Sequence, residues 1–243
     1  MPAYRDEGVV LRSIRLGEAD RIVTFATPEH GKVRAVAKGV RRTTSRIGGR
    51  VEPLTHVRML CWRGRELDVV TQVEVVEPFR AIRGDLERTT TAITMLEVVD
   101  QVAVERQPMP EVFRLLTGAL RSLESAPAPL LLAGFYWKLV AAEGVAPDVG
   151  TCSSCGAASP PATFDPETGG FCCRSCRRGE PVSARAAEIV GAILAGHLRS
   201  VLGEPASSVT AEVEHLGQLA VEHHIDRRLR SPRHPIEGQG PRH

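Results

Sequence analysis

The apolar positions of this chain change period once, near residue 80, and that change divides it. Before it, apolar residues come in short runs or alternate with polar ones, which is the period of strands. Gly8 to Leu16 (GVVLRSIRL) and Arg21 to Thr27 (RIVTFAT) are rich in Val, Leu and Ile and predict two strands. Thr27-Pro28-Glu29-His30-Gly31 supplies a turn, proline fixing φ and glycine free to take a positive one. From Gly31 the alternation is strict: Val33, Ala35 and Ala37 point one way, Lys32, Arg34, Val36 and Lys38 the other. Thr55 to Trp62 and Leu67 to Val75, separated by Arg63-Gly64-Arg65, bring the count to five strands. Five short strands joined by Gly/Pro turns fit a small closed barrel such as an OB-fold; an open sheet or an SH3-like barrel leaves the same pattern.

Past Arg80 the spacing becomes helical. Leu86, Thr89, Ile93, Leu96, Val99 and Val102 line one helix, and Pro108 and Pro110 end it and begin the next. Glu111 to Glu124 carries Val112, Phe113, Leu116, Leu120 and Leu123 on one side. A third helix, Pro129 to Glu143, is apolar all round and stops at Gly144; its Phe135, Tyr136 and Trp137 read as buried core. Ser183 to Leu202, with Ser183 as cap, and Val209 to Leu229 are further helices, and the tail from Ser231, with prolines and no apolar period, reads as disordered. The expected fold is α+β and multidomain. A barrel occupies 1–80, a helical domain follows in two parts at 81–150 and 181–230, a cysteine-rich insert lies at 151–180, and the tail covers 231–243.

Charge adds a function class to this outline. Over the whole chain of 243 residues the formal net charge is only +2, but the sign is concentrated locally. Between Glu29 and Glu52 there is no acid, while Lys32, Arg34, Lys38, Arg41, Arg42, Arg46 and Arg50 all fall there. A strand with a cationic face running into a Thr/Ser/Gly loop studded with arginines suits a polyanion of regularly repeating charge, and nucleic-acid backbone is the commonest one. The competing reading is a solvated sheet face. Aromatics are few, which limits the stacking platforms available for bases. The opening MPAYRDEG is charged at once and has no apolar export region, and the apolar run Leu130 to Trp137 is too short to span a bilayer, so a cytoplasmic protein without membrane contact is expected.

The cysteines point to a metal. Cys152-x-x-Cys155 and Cys173-x-x-Cys176 are separated by 17 residues, the spacing of a four-thiolate zinc site, with the turn Asp165-Pro166-Glu167-Thr168-Gly169-Gly170 between the two knuckles. Four thiolates close the coordination shell of one Zn²⁺, so the ion expected here, in a zinc ribbon, is structural. Disulfides are the alternative, and an intracellular chain disfavours them. Cys172 pairs with Cys176 only as CxxxC and reads as a spectator; Cys61, beside Trp62 on a strand, reads as a small buried hydrophobe. Arg174, Arg177 and Arg178 suit either phosphate contact or balance of thiolate charge.

Enzymatic machinery is not evident. GxxxxGK[ST], GxSxG and HExxH are absent, and His223 and His224, adjacent on a helix, point about 100° apart and do not share a metal. With His215 and Glu222 they read as a solvated polar face. A binding protein is therefore expected, not an enzyme. Two other classes stay open: an RNA-binding OB-fold and zinc-ribbon factor of translation or transcription, and a nucleic-acid enzyme whose site is assembled from scattered carboxylates.

Four stretches carry a family resemblance. Gly17-Glu18-Ala19-Asp20-Arg21-Ile22-Val23 with Phe25-Ala26-Thr27-Pro28-Glu29-His30-Gly31-Lys32 looks like the opening strands and turn of the RecO family, and Val36-Ala37-Lys38-Gly39-Val40-Arg41 like the end of its basic strand. Phe164-Asp165-Pro166-Glu167-Thr168-Gly169-Gly170-Phe171-Cys172-Cys173 resembles that family's approach to the second knuckle, which supports Cys173 as the ligand. The closing His224 to Ser231 is similar as well, so the likeness runs over about residues 3 to 231. It implies a DNA repair and recombination mediator with an OB-fold that binds single- and double-stranded DNA. It also implies strand annealing, partnership with RecR in loading RecA, contact with the acidic tail of single-stranded DNA-binding protein, and a nucleoid-associated place in the cytoplasm.

Overall fold

The structure is a computed structural model and describes residues 2–42, 45 and 47–225. The end of the last expected helix, the HHIDRRLRS match past residue 225, the tail 231–243 and Arg46 lie outside the described residues. The chain divides into two compact units, Met1–Ser125 and Ala126–His243.

In the first unit, β1 (Ala3–Leu16), β2 (Asp20–Thr27), β3 (Gly31–Ala37), β4 (His56–Trp62) and β5 (Asp68–Glu77) close a barrel in the order β1-β2-β3-β5-β4. Closure depends on the length of β1. Its first half, Ala3 to Val9, pairs with β4, its second half pairs with β2, and a register shift between Val10 and Arg12 bends it from one partner to the other. The barrel is filled by alternate residues of every strand, among them Val10, Val23, Phe25, Val33, Ala35, Val57, Met59 and Val70. The strand alternation read from the sequence is thus the inside–outside alternation of a closed OB-like barrel.

The parallel pairing that closes it is short: only Ala35–Ala37 of β3 meets Asp68–Val70 of β5. The first half of β3 would be an open edge, and the segment after the second helix covers it. The Lys32 N–H donates to the Val104 carbonyl at 3.0 Å, and the Arg106 N–H donates back to the Lys32 carbonyl at 3.4 Å. The approach requires glycine at 31, whose φ is +64° and where a Cβ would stand 1.9 Å from the Gln107 carbonyl oxygen. Gly31→Ala is therefore expected to destabilise this unit by about 2 kcal/mol or more, read as a fall in Tm, because both the left-handed backbone and the backbone clash oppose the methyl.

Three helices belong to the same unit: α1 (Arg80–Arg83), α2 (Leu86–Val102) and α3 (Pro110–Ser125). Asp85 caps α2, accepting from the Arg88 N–H, and α3 buries Val112, Phe113, Leu116, Leu120 and Leu123, the face that its periodicity predicts. Glu124 at the end of α3 accepts from the Ala81 and Ile82 N–H groups at 2.9 Å each, a carboxylate at the positive end of α1. A second polar link joins α3 to the barrel. Arg121 donates to Glu77 at 2.9 Å, and His56, buried edge-on to Phe113, meets Glu77 at 2.9 Å and Glu7 at 2.7 Å. Partial burial by itself raises the Glu77 carboxyl, but the Arg121 and then the His56 hydrogen bonds outweigh it and hold that group below its ordinary value. These contacts explain why the compact unit ends at Ser125, beyond the barrel's own end near residue 80.

The second unit holds α4 (Leu131–Ala142), a small antiparallel sheet β7-β6-β8 made of β6 (Thr163–Asp165), β7 (Gly170–Cys172) and β8 (Glu180–Pro181), then α5 (Ala184–Leu194), α6 (Leu198–Val201) and α7 (Ser208–His224). Phe135, Tyr136 and Trp137 are all buried, as the apolar helix predicts. The single helix expected over 183–202 is corrected to two. Ser183 caps α5 through the Ala186 N–H, but Gly196 takes φ +88° and interrupts the run before α6. His224 lies 3.3 Å from Glu143 and Gln218 donates to Glu222 at 2.7 Å, so the histidine cluster of α7 belongs to a polar surface network. Among the described residues no helix is long and apolar enough to cross a membrane.

Candidate nucleic-acid interface and metal centre

The basic stretch is built in two parts with different fates. On β3 the burial alternates strictly, so Lys32 and Arg34 do face outward. They are not free, however. The Lys32 ammonium sits 3.4 Å from the Asp100 carboxylate and also donates to the Asp100 carbonyl, and Arg34 sits 3.4 Å from Glu105. Arg12, alongside on β1, also reaches Asp100 at 3.0 Å. The expected line of unopposed charge is corrected at these positions: Lys32 and Arg34 bind α2 and the segment after it to the barrel. The Lys32–Asp100 pair is largely shielded from water and takes most of the Lys32 charge, whereas the Arg34–Glu105 pair is exposed and weaker.

The loop after β3 is different. Val40 and Val51 are buried in the barrel, with Ile47 packed against them, so apolar residues anchor the loop while its cations stay at the surface. Its first turn is fixed by the Gly39 N–H donating to Asp20 at 2.7 Å and the Arg41 N–H donating to the Ala19 carbonyl at 3.0 Å. Lys38, Arg41, Arg42 and Arg50 are exposed. Arg41 donates to the Gly17 and Glu18 carbonyls at 3.3 and 2.7 Å, and Arg50 to the Val73 carbonyl at 3.0 Å. Carbonyl partners orient a guanidinium without cancelling its charge. No ion pair involves these four among the described residues, so their charge stays at the surface on a backbone tied down at several points. Arg46, between them in sequence, lies outside the described residues.

Two other groups near the barrel are settled by burial. Cys61 is fully buried and its thiol is pushed up to about 12, by desolvation first and then by Asp68, so it is a core residue without thiolate character. Tyr4 is likewise raised by burial and by its hydrogen bond to Asp68.

In the second unit Cys152, Cys155, Cys173 and Cys176 converge, with all four sulfurs within 4.8 Å of one another. A tetrahedral ion with metal–sulfur bonds of about 2.3 Å requires sulfurs about 3.8 Å apart, and Cys155 and Cys173 stand at 3.9 Å. The backbone is arranged for thiolates. The Cys173 N–H points at the Cys152 sulfur at 3.3 Å, and this with the Cys155 N–H lowers the Cys152 thiol to about 6. The Cys176 and Ser175 N–H groups lower Cys173 in the same way. Cys176 moves the other way, to about 12, chiefly through Cys155, because sulfurs this close do not all ionise without a cation among them. This donor set fits a soft divalent ion. Cys172, buried 3.5 Å from the Ser153 hydroxyl, is outside the group.

The ribbon that presents these cysteines is held by aromatic packing. Phe164 on β6 and Phe171 on β7 meet edge to face at 5.2 Å, and both lie against Trp137 of α4, at 6.0 and 6.1 Å. Trp137 in turn donates its indole N–H to the Val213 carbonyl of α7 at 3.1 Å. One indole thus ties ribbon, α4 and α7 together.

Comparison with known proteins agrees with both halves. The family model described as "Recombination protein O N terminal" matches residues 1–79, and that described as "Recombination protein O C terminal" matches residues 83–234. A DNA repair protein RecO from a Nocardioides species is 43% identical, over 94% of this chain and 97% of its own. One from Cutibacterium acnes is 44% identical over 73% and 75%, and one from Frankia casuarinae is 40% identical over 95% and 97%. With both family models matched and relatives this similar along nearly the whole length, the chain belongs to the RecO family of DNA repair and recombination proteins.

Proposed function

We propose that the protein is a non-enzymatic DNA-binding mediator. It grips the sugar-phosphate backbone of single- and double-stranded DNA with Lys38, Arg41, Arg42, Arg46 and Arg50, and brings complementary strands together. The observation that carries this is the exposed, carbonyl-oriented cation cluster on an anchored loop, unopposed by carboxylates where Lys32 and Arg34 are opposed. Annealing is limited by repulsion between two polyanions, and a fixed positive patch lowers that repulsion without reading sequence. The names of the relatives support a place in DNA repair.

Within that role the protein acts with RecR to help load RecA onto strands coated with single-stranded DNA-binding protein, touches the acidic tail of that protein, and associates with the nucleoid. The four cysteines hold one structural Zn²⁺, which pins the ribbon to its helices and takes no part in DNA chemistry, since four protein thiolates leave no open coordination position. The test is a strand-annealing assay on complementary single strands coated with their binding protein, with zinc measured in the same preparation. Faster annealing with one zinc per chain is expected. No acceleration, with tighter binding to structured RNA than to single-stranded DNA, would favour an RNA-binding factor instead.

A further inference from the structure

Of the chain's aromatic side chains, Trp62 is the exposed one, with 47% of its surface accessible; Trp137 is fully buried. The strand registers show what lies beside Trp62. Its partner across β5 is Val69, Val69 pairs with Val36 of β3, Val36 with Ile22 of β2, and Ile22 with Ile14 of β1. Directly paired residues share a face, and the next residues inward, Cys61, Val70, Ala35 and Val23, are barrel core. These five therefore form one apolar row across the outside of the barrel, spanning about 19 Å at ordinary strand spacing. Ile14 is 49% exposed and the three between are half-buried, so among the described residues nothing seals the row.

The row's surroundings say what it is for. Lys38 directly follows β3 in the turn that leads into Arg41 and Arg42, and Arg65 lies in the β4–β5 turn beyond Trp62; Arg63, next to Trp62, instead lies over the Tyr4 ring at 5.6 Å. Lys38, Arg41, Arg42 and Arg65 are exposed and outnumber Glu18 and Glu66 nearby. An apolar strip with one indole, edged by cations, is complementary to a chain that has flat apolar faces inside and charge along its border. An unpaired polynucleotide is such a chain, and a duplex is not, since its bases are stacked away.

We infer that Trp62 is a base-stacking residue, and that the row Ile14–Ile22–Val36–Val69–Trp62 seats the unpaired bases of a single strand whose phosphates lie on the Lys38–Arg42 loop. This rests on the nucleic-acid reading above and adds to it the origin of a preference for single strands. The cation cluster treats both forms alike, whereas the row engages only exposed bases.

The test uses the full chain, a labelled oligothymidine and a labelled hairpin duplex, with label anisotropy and intrinsic tryptophan emission followed in one titration. Trp137 is buried and hydrogen-bonded to Val213, so a change on binding reports Trp62. Oligothymidine should quench the emission and the duplex should bind without quenching. Trp62→Ala should weaken oligothymidine binding about five- to 150-fold, the range expected for losing one base–aromatic stack, and change duplex binding less than twofold. Trp62→Phe should recover part of the loss. Anisotropy that shows oligothymidine bound while the emission stays constant would overturn the assignment and leave the nucleic-acid reading intact, as would equal losses on both DNAs. Emission that ignores DNA but shifts with single-stranded DNA-binding protein would make the row a protein-docking face and also overturn it. Anisotropy that shows neither DNA bound would overturn both.

Discussion

Chelating the metal, or replacing Cys173 by Ser, is expected to collapse the ribbon and loosen the second unit while the barrel keeps its affinity for DNA. Beyond the contact of Phe164 and Phe171 with Trp137, the ribbon has little apart from its four convergent cysteines to hold it. Its three strands are three, three and two residues long, and its apolar contribution is essentially Phe164 and Phe171 against Trp137. A four-thiolate zinc site supplies about 10 kcal/mol or more of apparent binding energy to a small fold, so losing even half of that, about 5 kcal/mol, would lower the Tm of a unit of this size by roughly 20 °C. Trp137 gives a local readout, because release of the ribbon exposes its ring and shifts its emission to the red. Cys172→Ser, outside the sulfur cluster, should leave zinc content unchanged and the melting temperature nearly so. A Cys173→Ser protein with normal Tm and unshifted emission would show that the helices hold the ribbon without an ion.

Much of this architecture could be read from residue order alone. The alternation of Val33, Ala35 and Ala37 with Lys32 and Arg34 is local, and it fixes which side of β3 faces the barrel interior. The two CxxC pairs announce their own convergence, since each knuckle places its sulfurs side by side whatever surrounds it. Electrostatic partners were not legible. Asp100 and Glu105 lie about 70 positions beyond Lys32 and Arg34, and only the packing of α2 and the segment after it against the barrel brings them together. Nor did periodicity tell that α1 to α3 fold with the barrel, because an amphipathic face says that it will be buried and not against what. Trp62 falls in the same class. Its row exists only as a register among five strands, and no window of sequence contains it.

The second large effect concerns the loop cations. Changing Lys38, Arg41 and Arg42 together to Ala is expected to weaken binding to every DNA sequence to a similar degree, since phosphate contacts carry no sequence information. The fold should tolerate the change, because all three side chains are exposed and the loop keeps its anchors at Val40 and Val51. Lys32→Ala is the contrasting variant. It breaks a half-buried ion pair with Asp100 that joins α2 to the barrel, so it should lower Tm and leave the DNA contacts in place. Charge reversal at Asp100 should behave like Lys32→Ala, which a surface role for Lys32 would not produce.

The most direct measurement is the salt dependence of single-strand binding for the wild type, the Lys38/Arg41/Arg42 triple variant and Lys32→Ala. With about five phosphates neutralised, log K for the wild type should fall against log salt with a slope of about −3.5. The triple variant should lose about 2 from that slope, and Lys32→Ala should retain all of it. A triple variant with the wild-type slope, or a Lys32→Ala protein with a much shallower one, would contradict the assignment of DNA contact to the loop.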